Sequence, residues 1–326
     1  MLAAYVTAPG NIEVIEAADP ELMVGQAIVR PELISICGSD LRAVYDRSAE
    51  DYPLPPGQSG HEVVGFVEAI EYRGKTVFPF KPGDRVLATP SPHLGMCERF
   101  SIGVEGLVRV PDNVSAELLA VAQPLATVIS GCNKLSNVAG STVVVVGQGG
   151  IGLLFNAMLR RMGARIIIGM DLTESRRAAG LQFGADRTID PTSDNVLEQV
   201  EEAVTGEPEI VIDAAGEPAS INISLEMVRS HGQLLLFGVP KHPKFEFSYL
   251  MWYRKRPHMQ TSSIADGDSH SLCELALNLI TRDDVNVNGL ISHRLPIARV
   301  SDAYALARTR GDGALKVAVD FRENTT

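Results

Sequence analysis

From about Leu125 to Ser262 the chain repeats one pattern, an apolar run of strand length followed by a segment with helical spacing. TVVVVG leads into GLLFNAMLRRMG, RIIIGMD into ESRRAAGLQFGA, and EIVIDAAG into PASINISLEMVRS, before GQLLLFGV continues the series. Strand and helix in alternation leave few folds open, because parallel strands need crossover helices and those helices cover both faces of the sheet. In the helix after the first strand, Ile151, Leu154, Met158 and Met162 recur at three- and four-residue steps, and Gly163 follows as a stop. The expected architecture is therefore α/β, with a doubly wound parallel sheet over residues 125–262.

The remainder reads differently. Before residue 125, short runs such as AIVRPELISI, EVVGFVEAI, DRVLAT and LVRVP are punctuated by PLPPGQSG and KPGD, the texture of a β-rich domain. A length of 326 residues is about two domains' worth. After Ser262 a helix (LCELALNLIT), a hairpin-like stretch (GLISHRLPI) and a last strand (LKVAVDF) are too short to stand alone. They are expected to return to the first domain, giving residues 1–124 with 263–326 as one domain and 125–262 as the other. The formal net charge of −11 argues against nucleic acid and anionic membrane surfaces as partners. No apolar run approaches the roughly 18–20 residues of a membrane span. MLAAYVTAPG has no basic stretch followed by an apolar one, and Cys37, Cys97, Cys132 and Cys273 are far apart with no C-x-x-C pair. A reduced, cytoplasmic protein is expected.

Gly147-Gln148-Gly149-Gly150-Ile151-Gly152 is a G-x-G-x-x-G that follows a strand and opens a helix, the context in which this pattern binds a dinucleotide. The first glycine makes the turn, the second admits a pyrophosphate, and the third lets helix and strand pack; the helix N-terminus adds partial positive charge. Asp171 ends the next strand about 20 residues later, where a carboxylate can accept ribose hydroxyls. An acid there repels a 2′-phosphate, which favours NAD over NADP, and Arg176 and Arg177 lie close enough to bear on that preference. An ordinary glycine turn with a capping aspartate is the alternative.

Two segments of the β-rich part set metal-type ligands beside glycines: Ile36-Cys37-Gly38-Ser39-Asp40 and Gly60-His61-Glu62-Val63-Val64-Gly65. Thiolate, imidazole and carboxylate are the ligand types of a catalytic zinc that keeps one position open. Asp40 is placed to accept the second ring N–H of His61 and fix its tautomer. Taken singly, Cys37 could be a small core residue, His61 a satisfied loop histidine and Glu62 a solvated charge. Together, upstream of a dinucleotide motif, they argue for a metal.

CGSD, GHEVVG, KPGDRV and the glycine motif with Asp171 together resemble the zinc-dependent medium-chain dehydrogenase/reductase family, and DAAG, GQLLLFGV, SHRLPI and LKVAVDF look like its later landmarks. The look is that of the sorbitol/glucose dehydrogenase branch. The resemblance implies a GroES-like catalytic domain interrupted by a Rossmann domain, with the active site in the cleft between them. It assigns Cys37, His61 and Glu62 to one catalytic zinc per chain and Ser39 to a proton relay. It makes Lys316, with Arg176 and Val239, a cofactor contact. The implied activity is hydride transfer between NAD and a hydroxyl or carbonyl of a polyol, sugar, cyclitol or secondary alcohol. A zinc-free quinone or enone reductase on the same fold, or a redox-inactive dinucleotide-binding protein, would not need the CGSD and GHE pair.

Departures from the family bear on the site. GDRVLATPSPHLGMCERFSIG carries one cysteine where the family has a four-cysteine lobe, so no second zinc is expected. The position of the third ligand reads Ala122-Gln123-Pro124-Leu125, making Gln123 a candidate ligand whose backbone Pro124 biases toward an extended conformation. Arg42 replaces the histidine through which the family's proton usually leaves. Gln260-Thr261-Ser262-Ser263 lacks the aromatic and arginine common near the nicotinamide in sorbitol dehydrogenases. Cys132 and Cys273 read as core; His93 and Cys97 read as surface residues or as lining of the substrate pocket. The apolar run GQLLLFGVP would form an exposed sheet edge, which the family covers by pairing across a two-fold axis, so a homodimer or homotetramer is expected.

Overall fold

The computed structural model describes residues 1–72, 79–240, 242–262 and 268–322. The chain divides into two compact units, 1–123 with 288–326, and 124–287. Among the described residues no helix is long and apolar enough to cross a membrane.

In the first unit, β1 (Leu2–Ala8) and β2 (Asn11–Glu16) pair antiparallel. The long strand β3 (Gln26–Ser35) leads into helix α1 (Gly38–Tyr45), and β4 (Glu62–Glu71) returns antiparallel to β3. The register slips between Ile28 and Val29 and between Pro31 and Leu33, the second slip lying beside a proline that has no N–H to give the ladder. β5 (Arg85–Ala88), β6 (Phe100–Gly103) and β7 (Leu107–Arg109) extend this sheet, and the short helix α2 (Ala116–Ala120) follows. Val29, Ile34, Val63 and Val86 are fully buried in its core.

Helix α3 (Ala122–Cys132) carries the chain from the first unit into the second, with the junction at Gln123 and Pro124. Gln123 therefore lies in the first helical turn and is not extended as expected. Pro124 is tolerated there because the first-turn N–H groups have no intrahelical acceptor to lose.

The second unit carries six parallel strands among the described residues. They are β8 (Thr142–Val146), β9 (Ile166–Met170), β10 (Arg187–Ile189), β11 (Ile210–Asp213), β12 (Gln233–Leu236) and β13 (His258–Thr261), in the order β10-β9-β8-β11-β12-β13. The intervening helices are α4 (Gly150–Arg161), α5 (Glu174–Gln182), α6 (Val196–Val204), α7 (Pro218–Met227) and α8 (Tyr249–Lys255). The sheet order turns back at β8, the doubly wound arrangement whose switch point receives ligands in such folds. α4 is buried more widely than a single stripe: Leu153, Leu154, Phe155, Ala157 and Leu159 are all inside, because β8, β9 and α5 pack around it. β12 is not the edge of the sheet, since β13 pairs along it and is itself exposed throughout.

Helix α9 (Ser269–Thr281) buries Cys273, Ala276, Leu277 and Ile280 and clusters with the second unit. The return to the first unit thus comes at Asn288, later than the expected residue 263. The hairpin expected in GLISHRLPI is a strand, β14 (Ile291–Pro296), joined to β15 (Lys316–Asp320) in parallel through helix α10 (Val300–Thr309). β15 then pairs antiparallel with β3 and completes the order β14-β15-β3-β4-β5-β7, while β6 also pairs with β3.

Gly65, in β4 opposite Pro31, lets the two longest strands lie close. A Cβ there would fall 2.5 Å from the Arg30 carbonyl oxygen. Gly65→Ala is expected to destabilise the chain by about 1–3 kcal/mol, the usual cost of overpacking. An unchanged thermal unfolding midpoint would show that the strands can part without cost.

Candidate functional site

The pairing of β3 with β4 sets Ser35 directly opposite Glu62. Cys37 follows the end of β3, and His61 immediately precedes β4, which Glu62 begins, so antiparallel register brings the two segments together. Cys37 precedes α1 as its N-cap. Gly60 turns the chain into His61 with a φ of +81°, and a Cβ there would press on Ile34 and the Met96 amide. The ligand-type atoms of Cys37, His61 and Glu62 lie within 4.8 Å of one another.

Asp40, fully buried, ties the two segments. Its carboxylate accepts hydrogen bonds from the Cys37 N–H at 2.9 Å and the Gly60 N–H at 3.0 Å, and its Oδ1 lies 3.1 Å from His61 Nδ1. Burial alone would raise the Asp40 pKa. The charge and hydrogen bond of His61 and the two amides outweigh it and hold the group below the ordinary carboxylate value. Burial likewise opposes charge on His61, but Asp40 and then Cys37 overcome it and raise its pKa. With Asp40 ionised, Nδ1 donates, and Nε2 is left as the ring's outward nitrogen.

Glu62 is divided between two roles. Its Oε2 accepts a hydrogen bond from the Ser35 hydroxyl and an ion pair from Lys316 Nζ at 2.6 Å. Its Oε1 is buried and has no hydrogen-bond partner among the described residues. A buried carboxylate oxygen left bare is costly, and a cation held with Cys37 and His61 would satisfy it. The donor set of thiol, imidazole and carboxylate suits zinc. Lys316 also donates to the Ile36 carbonyl at 3.2 Å. Burial works against its charge, but Glu62, Cys37 and Asp40 prevail and raise its pKa. Lys316, expected at a cofactor phosphate, lies at the start of β15, whose pairing with β3 carries it to Glu62.

Ser39, in the first turn of α1, and Gln123 are half-buried, and neither side chain hydrogen-bonds a described residue. His93 is the residue sequence reasoning undervalued. Its ring stacks on His61 with centroids 3.9 Å apart and planes inclined by 21°. Burial, then the His61 charge, lowers its pKa. A lone histidine on a proline-rich loop gives no signal in sequence that it will stack on His61. Cys97 is buried, its thiol facing the Leu94 and Arg99 carbonyls.

In the second unit Gly147, with a φ of +94°, ends β8, and Gly149 caps α4. At Gly152 a Cβ would fall 1.8 Å from the Gly147 carbonyl oxygen, so the third glycine is a steric requirement. Gly150 and Ile151 form the first turn of α4. Asp171, at the end of β9, accepts from the Gln148 N–H at 2.8 Å and the Thr173 N–H at 2.9 Å. Gln148 was a variable position in the motif, yet its side chain is fully buried: it donates to the Val145 carbonyl and accepts from Asn156 at 2.6 Å. The two arginines part company. Arg177 is bound to the Asp171 and Leu172 carbonyls and to Asp190. Arg176 is buried with its Nη1 beside Gly149. Val239, past β12, is half exposed, and its carbonyl lies against Gly216. Ser263 lies outside the described residues.

Residues 24–132 match the alcohol dehydrogenase GroES-like domain family, and residues 150–282 match the zinc-binding dehydrogenase family. The sorbitol dehydrogenase of Rattus norvegicus is 26% identical over 99% of this chain and 96% of its own length. That of Gallus gallus is 27% identical over 96% and 94%. Among solved structures, alcohol dehydrogenase TADH from Thermus sp. ATN1 superposes with a TM-score of 0.85 at 25% identity, covering 99% of this chain and all of that one.

Burial pushes the thiols of Cys97 and Cys132 up to about 12 and that of Cys273 up to about 11, whereas Cys37 is half-buried. A disulfide exchange reagent near neutral pH is therefore expected to modify one thiol per chain quickly, Cys37, and all four only after unfolding. Added zinc should slow that single reaction. Two or more fast thiols would contradict this burial pattern.

Proposed function

The chain belongs to the zinc-dependent medium-chain dehydrogenase family, and we propose that it oxidises a hydroxyl of a polyol, sugar, cyclitol or secondary alcohol with NAD at the Cys37–His61–Glu62 centre. The observation that carries this reading is Glu62 Oε1, buried and unpartnered beside a thiol and an imidazole. When bound, zinc supplies a Lewis acid that polarises the hydroxyl, and NAD supplies the hydride acceptor.

The chain's own groups do the rest. Cys37, His61 and Glu62 hold the metal, and Gln123 is the proposed fourth ligand. Asp40 fixes the His61 tautomer. Lys316 and Ser35 hold Glu62 Oε2, which leaves Oε1 as its donor. Ser39, two residues past Cys37 at the start of α1, takes the hydroxyl proton and passes it outward. Gly147, Gly149, Gly150, Ile151 and Gly152 cradle the pyrophosphate, while Asp171 takes the adenosine ribose, with Arg176 and Val239 as further contacts. A zinc-free reductase would have no use for this donor set.

A cofactor-coupled absorbance screen over those alcohol classes, with NAD and NADP in parallel, tests the reading. Turnover is expected with NAD, together with one zinc per chain by elemental analysis. His61→Ala should lose both zinc and turnover. Asp171→Ala should weaken NAD by about tenfold, the worth of a neutral-to-charged hydrogen bond, and narrow the gap to NADP. Two tightly bound zincs, or higher kcat/KM with NADP, would contradict the assignment.

We also place the protein in the cytoplasm, a reading that its four free cysteines support; recovery of the native protein from an extracellular fraction would refute it. The fully exposed strand β13 supports a homodimer or a dimer of dimers, formed by continuing the sheet across a two-fold axis. Light scattering is expected to return twice or four times the chain mass, and a monomer at micromolar concentration would count against this.

A further inference from the structure

The ring of His93 takes no part in the centre described above, yet it lies on it. It covers one face of His61 at 3.9 Å, and a His93 nitrogen lies within 4.8 Å of ligand-type atoms of His61 and Asp40. The ring is half-buried and forms no hydrogen bond or ion pair with a described residue.

Its place is tightly determined. The His93 carbonyl accepts from the Ser59 N–H at 2.7 Å, and Gly95 N–H donates to the Gly60 carbonyl at 3.2 Å. Met96 N–H donates back to Gly57 and Ser59. Ser59 has a φ of +94°, and its hydroxyl is hydrogen-bonded to the fully buried Tyr304 of α10. A non-glycine residue at such a φ is retained where its surroundings over-determine it. The loop is thus fastened to the residues immediately before His61 and holds an imidazole whose nitrogens hydrogen-bond no described residue.

We propose that His93 is a substrate-contacting residue that selects alcohols bearing a second oxygen on the carbon next to the reacting one. The proposal rests on the oxidation of a hydroxyl at the Cys37–His61–Glu62 centre. A hydroxyl reacting beside His61 brings the neighbouring oxygen of a vicinal diol within a span comparable to one ring stacking. In either protonation state an imidazole has at least one N–H to offer it. Simple secondary alcohols lack this contact and leave the nitrogen unpaired.

The test uses zinc-loaded protein saturated with NADH, in which no alcohol can be oxidised, titrated calorimetrically with cyclohexanol and trans-cyclohexane-1,2-diol. Wild type is expected to bind the diol about tenfold more tightly, the worth of one neutral hydrogen bond in a partly wet site. His93→Phe keeps the stack on His61 and should bring the two affinities within about twofold. His93→Asn loses the stack but keeps a donor, and should restore part of the preference. The proposal falls if wild type shows no preference, or if His93→Phe retains it. Should the preference follow His93 while no alcohol turns over with NAD, the His93 contact to the second oxygen stands as a binding contact and the oxidation reading falls. Turnover with a preference indifferent to His93 gives the reverse.

Discussion

The Asp40 carboxylate accepts the amides of Cys37 and Gly60 and faces His61 Nδ1, so one buried group fixes a helix start, a glycine turn and an imidazole together. Each of those amides, left without an acceptor, would cost about 1–3 kcal/mol. The arrangement also sets chemistry: an ionised Asp40 against Nδ1 leaves Nε2 as the only outward ring nitrogen. The distance between Cys37 and His61 is consequently a property of the scaffold, already established before any metal arrives. Such preorganisation avoids ordering ligands at the moment of binding.

Glu62 is held by a different device. A buried lysine and a buried glutamate are rarely a net gain in stability, because both must leave water. Lys316 and Ser35 nevertheless occupy only Oε2 and leave Oε1 bare. Hydrogen bonds that satisfied both oxygens would make a better structural ion pair and a worse ligand. The cost is tolerable because β3, β4 and β15 are adjacent in one sheet, so the three side chains are delivered by register and need little further ordering.

This division explains what could be read from sequence. Cys37, Asp40, His61 and Glu62 were legible because each sits within a few residues of the glycine or strand that positions it. The glycine motif was legible for the same reason. The ion pair of Lys316 with Glu62 was not legible because it is chosen by the pairing of β15 with β3, a long-range fact with no local mark. The helix α10 was missed between the stretch read as a hairpin and the last strand: its buried stripe, Val300, Ala303 and Tyr304, is short and set among small and polar residues. The strand β13 was missed because HMQT has no apolar run, being exposed along its length. Gln148 looked like a spacer because a motif records which positions must be glycine and says nothing of a side chain folded back beneath the turn.

The loop between β5 and β6 takes its order from the segment that precedes His61. The chain leaves β5 at Ala88 and, after this loop, enters β6 at Phe100, which pairs with β3. Ser59 pairs with Leu94, Gly95 binds Gly60, and the lone Cys97 is packed against Gly57 as a core residue. The loop therefore takes its order from the same short segment, Gly57 to Gly60, that delivers His61. Any side chain at the position of His93 is in consequence held in register with the imidazole. A loop stitched to the residues before His61 inherits the geometry of the centre directly. Tyr304 closes the arrangement from α10, so the stack on His61 is braced by an element that joins the chain more than two hundred residues later.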